Sequence, residues 1–138
     1  MRFLVDANVL CAAMRPTPAP QVLAWLAKNE RFLAVDPVVL GEIEYGILLL
    51  PESTRKKRLQ TWFKEGVQKI CVLDLDARTA SVWASLVAKL KNQGLAMPLK
   101  DSLIAATALA HNLTVVTRNR SDFEKSGVAV FDPFAEPS

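Results

Sequence analysis

The chain has 138 residues, 51% hydrophobic and 22% charged, which suits one globular domain with its own core and excludes a disordered segment. Its net charge of +3 is too mild to define a nucleic-acid binder by composition, and Cys11 and Cys71 make neither a metal-ligand spacing nor a disulfide framework. The longest apolar runs are too short to span a bilayer and the N-terminus does not read as a signal peptide, so the expectation is a cytoplasmic protein with no membrane association.

Taken in chain order, Phe3-Leu4-Val5 is apolar without alternation, as expected of a strand covered on both faces in a parallel sheet. Asp6 and Asn8 follow it. They are either turn residues or polar groups at the edge where such sheets carry chemistry. PQVLAWLAKN places Val22, Leu23 and Leu26 at helical spacing, and RFLAV reads as a second strand. Pro37 opens VVLGEIEYGILLL, a helix apolar almost all round and therefore expected to be buried, and Pro51 stops it. Ser53 is a candidate N-cap for STRKKRLQTWFKEGV, an amphipathic helix with Leu59, Trp62 and Phe63 opposite a basic side. That side, Arg55-Lys56-Lys57-Arg58 with Lys64 and Lys69 beyond, is either a solvated face or a phosphate-contacting edge. KICVLDLD is strand-like, and residues 77–94 read as a helix ending at Gly94. After Pro98, LKDSLIAATALAHN is an Ala-rich helix; LTVVTRN and VAVFD complete the strands. With no repeat and no linker, residues 1–138 read as one α/β domain, a central largely parallel sheet flanked by helices.

Three acids stand out. Asp6 ends the first strand, and Asp101 begins the Ala-rich helix, where its plainer role is a dipole-complementing acid. Glu42 lies within the apolar helix, as does Glu44, and no Lys or Arg between Val35 and Leu50 can pair with it locally. The end of a parallel strand and the first turn of a helix can share one edge of a sheet, so Asp6 and Asp101 can converge with Glu42. Ionised carboxylates in mutual contact require a multivalent cation, and an all-oxygen ligand set without His or Cys selects a hard ion, Mg²⁺ or alternatively Mn²⁺.

LVDANVL, VVLGEIEYGI, KDSLIAATALAHNLTVVTRNRSDFE and the closing VAVFDPF, in this order and spacing, resemble the PIN-domain family over essentially the whole chain. Within it the chain is similar to the VapC toxins of prokaryotic toxin–antitoxin pairs, including the FitB-like branch. The resemblance implies an Mg²⁺-dependent endoribonuclease that hydrolyses RNA to 5′-phosphate and 3′-hydroxyl ends. It assigns metal binding to Asp6, Asp101 and Glu42, and makes Asp122 a weaker fourth catalytic acid, with Asn119 beside it where some members carry an acid. Thr117 and Asn8 would orient carboxylates; Arg118 and Arg120 would contact RNA phosphates. Ala7 stands where the family more often has Thr or Ser, which removes a hydroxyl but no carboxylate. A VapB-type antitoxin, homodimerisation, a toxin–antitoxin hetero-oligomer and DNA contact only through the antitoxin are further implications.

Two other readings compete with this one. A haloacid-dehalogenase-like phosphatase needs an acid two residues after its nucleophile, where this chain has Asn8, and a receiver needs paired acids and a lysine not evident here. A catalytically weak PIN-like RNA- or protein-binding module would keep the fold without the metal. Trp25, Trp62 and Trp83 read as core or dimer contacts, His111 as a helix-end cation, and both cysteines as buried small apolar residues.

Overall fold

Two strands of this protein end in the same pair, Val5-Asp6 and Val35-Asp36, and in the computed structural model, which describes residues 1–135, each aspartate caps the helix that follows. β1 (Phe3–Val5) leads through Asp6 into α1 (Ala7–Ala12), and α2 (Pro20–Lys28) returns the chain to β2 (Leu33–Val35). From Asp36 the chain enters α3 (Pro37–Leu48) and then α4 (Thr54–Glu65), capped by Ser53, whose hydroxyl accepts the Lys56 N–H as its sequence position predicts. β3 (Cys71–Val72), α5 (Ala77–Asn92), α6 (Leu99–His111), β4 (Thr114–Val116), α7 (Arg120–Glu124) and β5 (Val130–Phe131) follow. The five strands form one parallel sheet in the order β3-β2-β1-β4-β5, in register Leu4↔Ala34, Leu4↔Val115, Val35↔Val72 and Val116↔Phe131. The strand order turns around β1 and β4, and the crevice beyond those two strand ends is where open α/β sheets bind ligands.

The core justifies the non-alternating strands. Leu4, Val5, Ala34, Val35, Val115 and Val116 are fully buried between helical layers. Trp25 packs edge-on to Phe3 and stacks on Phe131, tying α2 across β1 and β5. Small residues Ala105, Ala106 and Ala108 let α6 pack closely, and Phe123 buries α7.

Several expectations change. α3 is not buried all round: Val39, Ile43 and Ile47 form one inward stripe, while Tyr45, Leu48 and Leu49 are more than half exposed. The helix is laid against α1, α4 and α6 on one side only. Cys11 and Cys71 are exposed, not core residues, because α1 lies across the sheet edge and β3 is an edge strand. Helices α1 and α7 were not anticipated; at six and five residues they are too short to show periodicity. The chain turns after Asn92 through Gln93 to Gly94, whose φ of +71° suits glycine. No helix among the described residues is long and apolar enough to cross a membrane.

Asp36 is fully buried, and its two oxygens do different work. One accepts the Val39 N–H at 3.0 Å; the other lies 3.0 Å from the Thr107 hydroxyl on α6. Thr107 also faces the Leu103 carbonyl at 3.2 Å. The Thr107 hydroxyl thus donates to Asp36 with the carbonyl of its own helix as a longer second acceptor, and Asp36 ties α3 to α6. Burial raises the Asp36 pKa, and the hydrogen bonds from the Val39 N–H and the Thr107 hydroxyl oppose it. Asp36→Asn, which keeps the cap and can donate to Thr107, is expected to stay within about 1 kcal/mol of wild type. Asp36→Ala, which loses the cap and leaves a void, is expected to lose about 2 kcal/mol or more; urea denaturation followed by circular dichroism checks both.

Candidate metal centre

Asp6 stands where the β1 and β4 ends meet. It is 4% exposed, its backbone N–H donates to the Val116 carbonyl at 2.9 Å, and Oδ1 accepts the Ala7 N–H at 2.8 Å. Oδ2 accepts the hydroxyl of Thr117, the residue after β4, at 2.8 Å. Thr117 in turn accepts from the Asn119 N–H at 3.0 Å and, more loosely, from Asn8 Nδ2 at 3.4 Å. With both lone pairs engaged, its single proton points at Asp6. Asn8 Oδ1 accepts the Arg118 N–H at 3.2 Å, joining α1 to the segment after β4. Thr117 therefore holds Asp6 as an acceptor, and Asn8 braces Thr117 and the Arg118 backbone rather than Asp6 itself.

Two other acids act on this point from separate helices, and a third, Asp122, acts on one of them. Burial raises the Asp6 pKa from 3.8 to about 6; the Thr117 and Ala7 hydrogen bonds oppose it, and the charges of Glu42 on α3 and Asp101 on α6 add to it. Burial also raises the Asp101 pKa, reinforced by Asp122 on α7 and then Glu42, with Lys100 pulling the other way. Asp122 thus joins the group because α7, anchored by the buried Phe123, carries it against Asp101. The exposed Asn119 lends its backbone N–H to Thr117. Arg118 stacks on Phe134 at 4.3 Å, and Arg120 pairs with Glu124 at 2.9 Å.

Sequence reading missed Lys100. Its ammonium lies 3.1 Å from Glu42 Oε2, supplying from α6 the counter-charge that α3 lacks. Among the described residues no three Asp, Glu, His or Cys side chains already close around a common point, and Glu42 is paired with Lys100. The donor chemistry nonetheless fits a hard cation: oxygen only, like-charged, and destabilised by its own proximity.

A PIN domain family model matches residues 3–127, within which all four acids lie. The chain belongs to the PIN-domain family. This PIN domain is 31% identical over 138 residues to toxin FitB of Neisseria gonorrhoeae, covering 96% of this chain and 98% of that protein. It is 30% identical over 142 residues to the VapC ribonuclease Y4jK of Sinorhizobium fredii, covering 99% of each. Its fold superposes with a TM-score of 0.91, at 28% identity and over 99% and 98% of the two chains, on a solved structure of FitAB bound to a DNA fragment. The PIN domain therefore has the α/β architecture that the sequence implies.

Because the folded-state pKa of Asp6 lies above 3.8, the fold holds its proton more tightly than the unfolded chain does. The stability this contributes is present below about pH 4 and is lost as pH rises through about 6, amounting to about 3 kcal/mol. In EDTA, wild-type stability should fall between pH 4.5 and 7.5, and Asp6→Asn should fall by about 2–3 kcal/mol less. Parallel curves for the two proteins, measured by urea denaturation, would remove Asp6 from the centre of this charge cluster.

Proposed function

We propose that this PIN domain is the toxin of a VapBC-type toxin–antitoxin pair, an Mg²⁺-dependent endoribonuclease with Mn²⁺ as the alternative ion. The observation that carries the reading is the set of carboxylates on three helices and one strand end whose charges add to the raised pKa of Asp6 and Asp101, beside a hydroxyl aimed at Asp6. It is supported by full-length similarity to proteins named as a toxin and as a VapC ribonuclease. Partnership with a small VapB-type antitoxin, and DNA contact through that partner, are supported by the likeness to the FitAB–DNA complex. A homodimer completes the proposal.

Asp6, Glu42 and Asp101 would hold the ion, with Asp122 contributing from farther out. Bound there, it supplies a water of lowered pKa and stabilises charge on the departing oxygen. The chain's own groups make that possible. Thr117 keeps Asp6 Oδ2 facing the crevice as an acceptor, and α7 holds Asp122 close enough to strengthen the field at Asp101. Lys100 offsets Glu42 until a cation or a phosphate competes for it. The same Lys100–Glu42 pair, a neutralisation that needs no metal, is what favours the second reading, a catalytically weak PIN-like RNA- or protein-binding module.

Incubating the purified chain with total cellular RNA and Mg²⁺, then mapping cut ends, tests the reading. Discrete cuts bearing 5′-phosphates and 3′-hydroxyls are expected, abolished by EDTA. Asp101→Asn should lose more than the roughly 10–100-fold that follows loss of an orienting partner, and Thr117→Val should fall within that range. Cutting by Asp101→Asn at the wild-type rate contradicts the assignment; no cutting by wild type favours the binding module.

A further inference from the structure

The four basic residues at the start of α4 face three different ways. Lys56 is buried, bonding Glu52 Oε1 at 2.8 Å and the Leu48 carbonyl at 3.3 Å. Lys57, with Lys64, lines a groove against Glu44 and Leu48 of α3. Arg55 and Arg58 turn instead toward the segment after α1, where with Arg15 they line a cavity of about 320 Å³ floored by Met14 and Leu59. Among the described residues none of the three arginines has an ion-pair partner. Arg55 and Arg58 are one helical turn apart, so their like charges disfavour the fold by a small amount that no local acid offsets. Uncompensated guanidinium groups drawn from two distant segments are a site for an anion.

The cavity adjoins the acids. α1, about 9 Å long, begins at Asp6, and Cys11 in its last turn lines a neighbouring cavity together with Arg15 and Arg55. Although Cys11 is exposed at the surface, partial desolvation and then the charges of Glu42 and Asp6 raise its thiol pKa, with Arg15 opposing them, so both signs of charge are felt at this one side chain. An acidic centre repels a polyanion unless cationic groups beside it take the neighbouring phosphates, and the planar arginine fork suits phosphate oxygens.

We propose that Arg15, Arg55 and Arg58 form a phosphate track that holds the backbone of single-stranded RNA beside the acidic edge. The assignment rests on the ribonuclease reading and adds where the strand runs. It separates Arg55 and Arg58 from Lys57 and Lys64, which belong to the α3–α4 groove.

The two pairs carry equal charge, which makes the test direct. In an Asp101→Asn background with Mg²⁺ present, where bound RNA is not consumed, anisotropy of a labelled single-stranded RNA oligonucleotide is measured across about 50–200 mM salt. Each phosphate contact on a single strand contributes about 0.7 to the slope of log affinity against log salt. Arg55→Ala/Arg58→Ala is expected to lower the slope by about 1.4 and Arg15→Ala by about 0.7, while Lys57→Ala/Lys64→Ala leaves it unchanged. All these side chains are exposed, and circular dichroism should show each variant folded. Equal effects from both pairs, or none from the arginines, overturn the track while leaving cleavage by the wild-type chain intact. A wild-type chain that neither binds nor cuts RNA overturns the ribonuclease reading, and the track with it.

Discussion

A threonine hydroxyl at the turning point of the sheet organises this molecule. Thr117 follows β4, Asp6 follows β1, and the 2.8 Å bond between them joins the two neighbouring strand ends where the strand order reverses. Parallel sheets open a crevice at that place because their connections leave in opposite directions. Here the crevice is narrow enough to bury a carboxylate, and Thr117, with its own lone pairs taken by Asn119 and Asn8, has only one direction in which to give its proton. Asp6 is thereby held ready as an acceptor in surroundings that raise its pKa to about 6.

One strand over, the same sequence pair has a different fate. Asp36 also follows a buried valine, also caps a helix and also meets a threonine. Thr107, however, lies within reach of a second acceptor, the Leu103 carbonyl, so its proton is not aimed at Asp36 alone. Asp36 links α3, which bears Glu42, to α6, which bears Asp101. Of two carboxyl groups on one sheet edge, one thus ties two helices together and the other sits in the field of Glu42 and Asp101.

The sequence was most informative where one residue's chemistry sufficed. Phe3-Leu4-Val5 and Thr114-Val115-Val116 read as covered strands because nothing alternates, and Ser53 read as a cap because its side chain can bond the backbone three residues on. Asp6, Glu42 and Asp101 could be named from strand ends, a missing local counter-ion and a family likeness, but their grouping depends on topology. Periodicity misjudged α3, since an apolar helix at the rim still has an outer side, where Tyr45 and Leu49 lie. Lys100 was hidden because its partner is 58 residues away, and Asp36 because it resembles an ordinary cap. The repeated Val-Asp at two strand ends was the available signal for Asp36. For Lys100 there was none beyond its place next to Asp101.

The central claim is that these acids accept one another's company because a divalent cation takes the place of protons. Calorimetric titration of Mg²⁺ at pH 6 and pH 8, in buffers of different ionisation enthalpy, measures that exchange. Asp6 with a pKa of about 6 is half protonated at pH 6, so binding there should expel about half a proton or more per chain, and almost none at pH 8. Heats that are independent of the buffer at pH 6, or an absence of binding at either pH, would contradict the account.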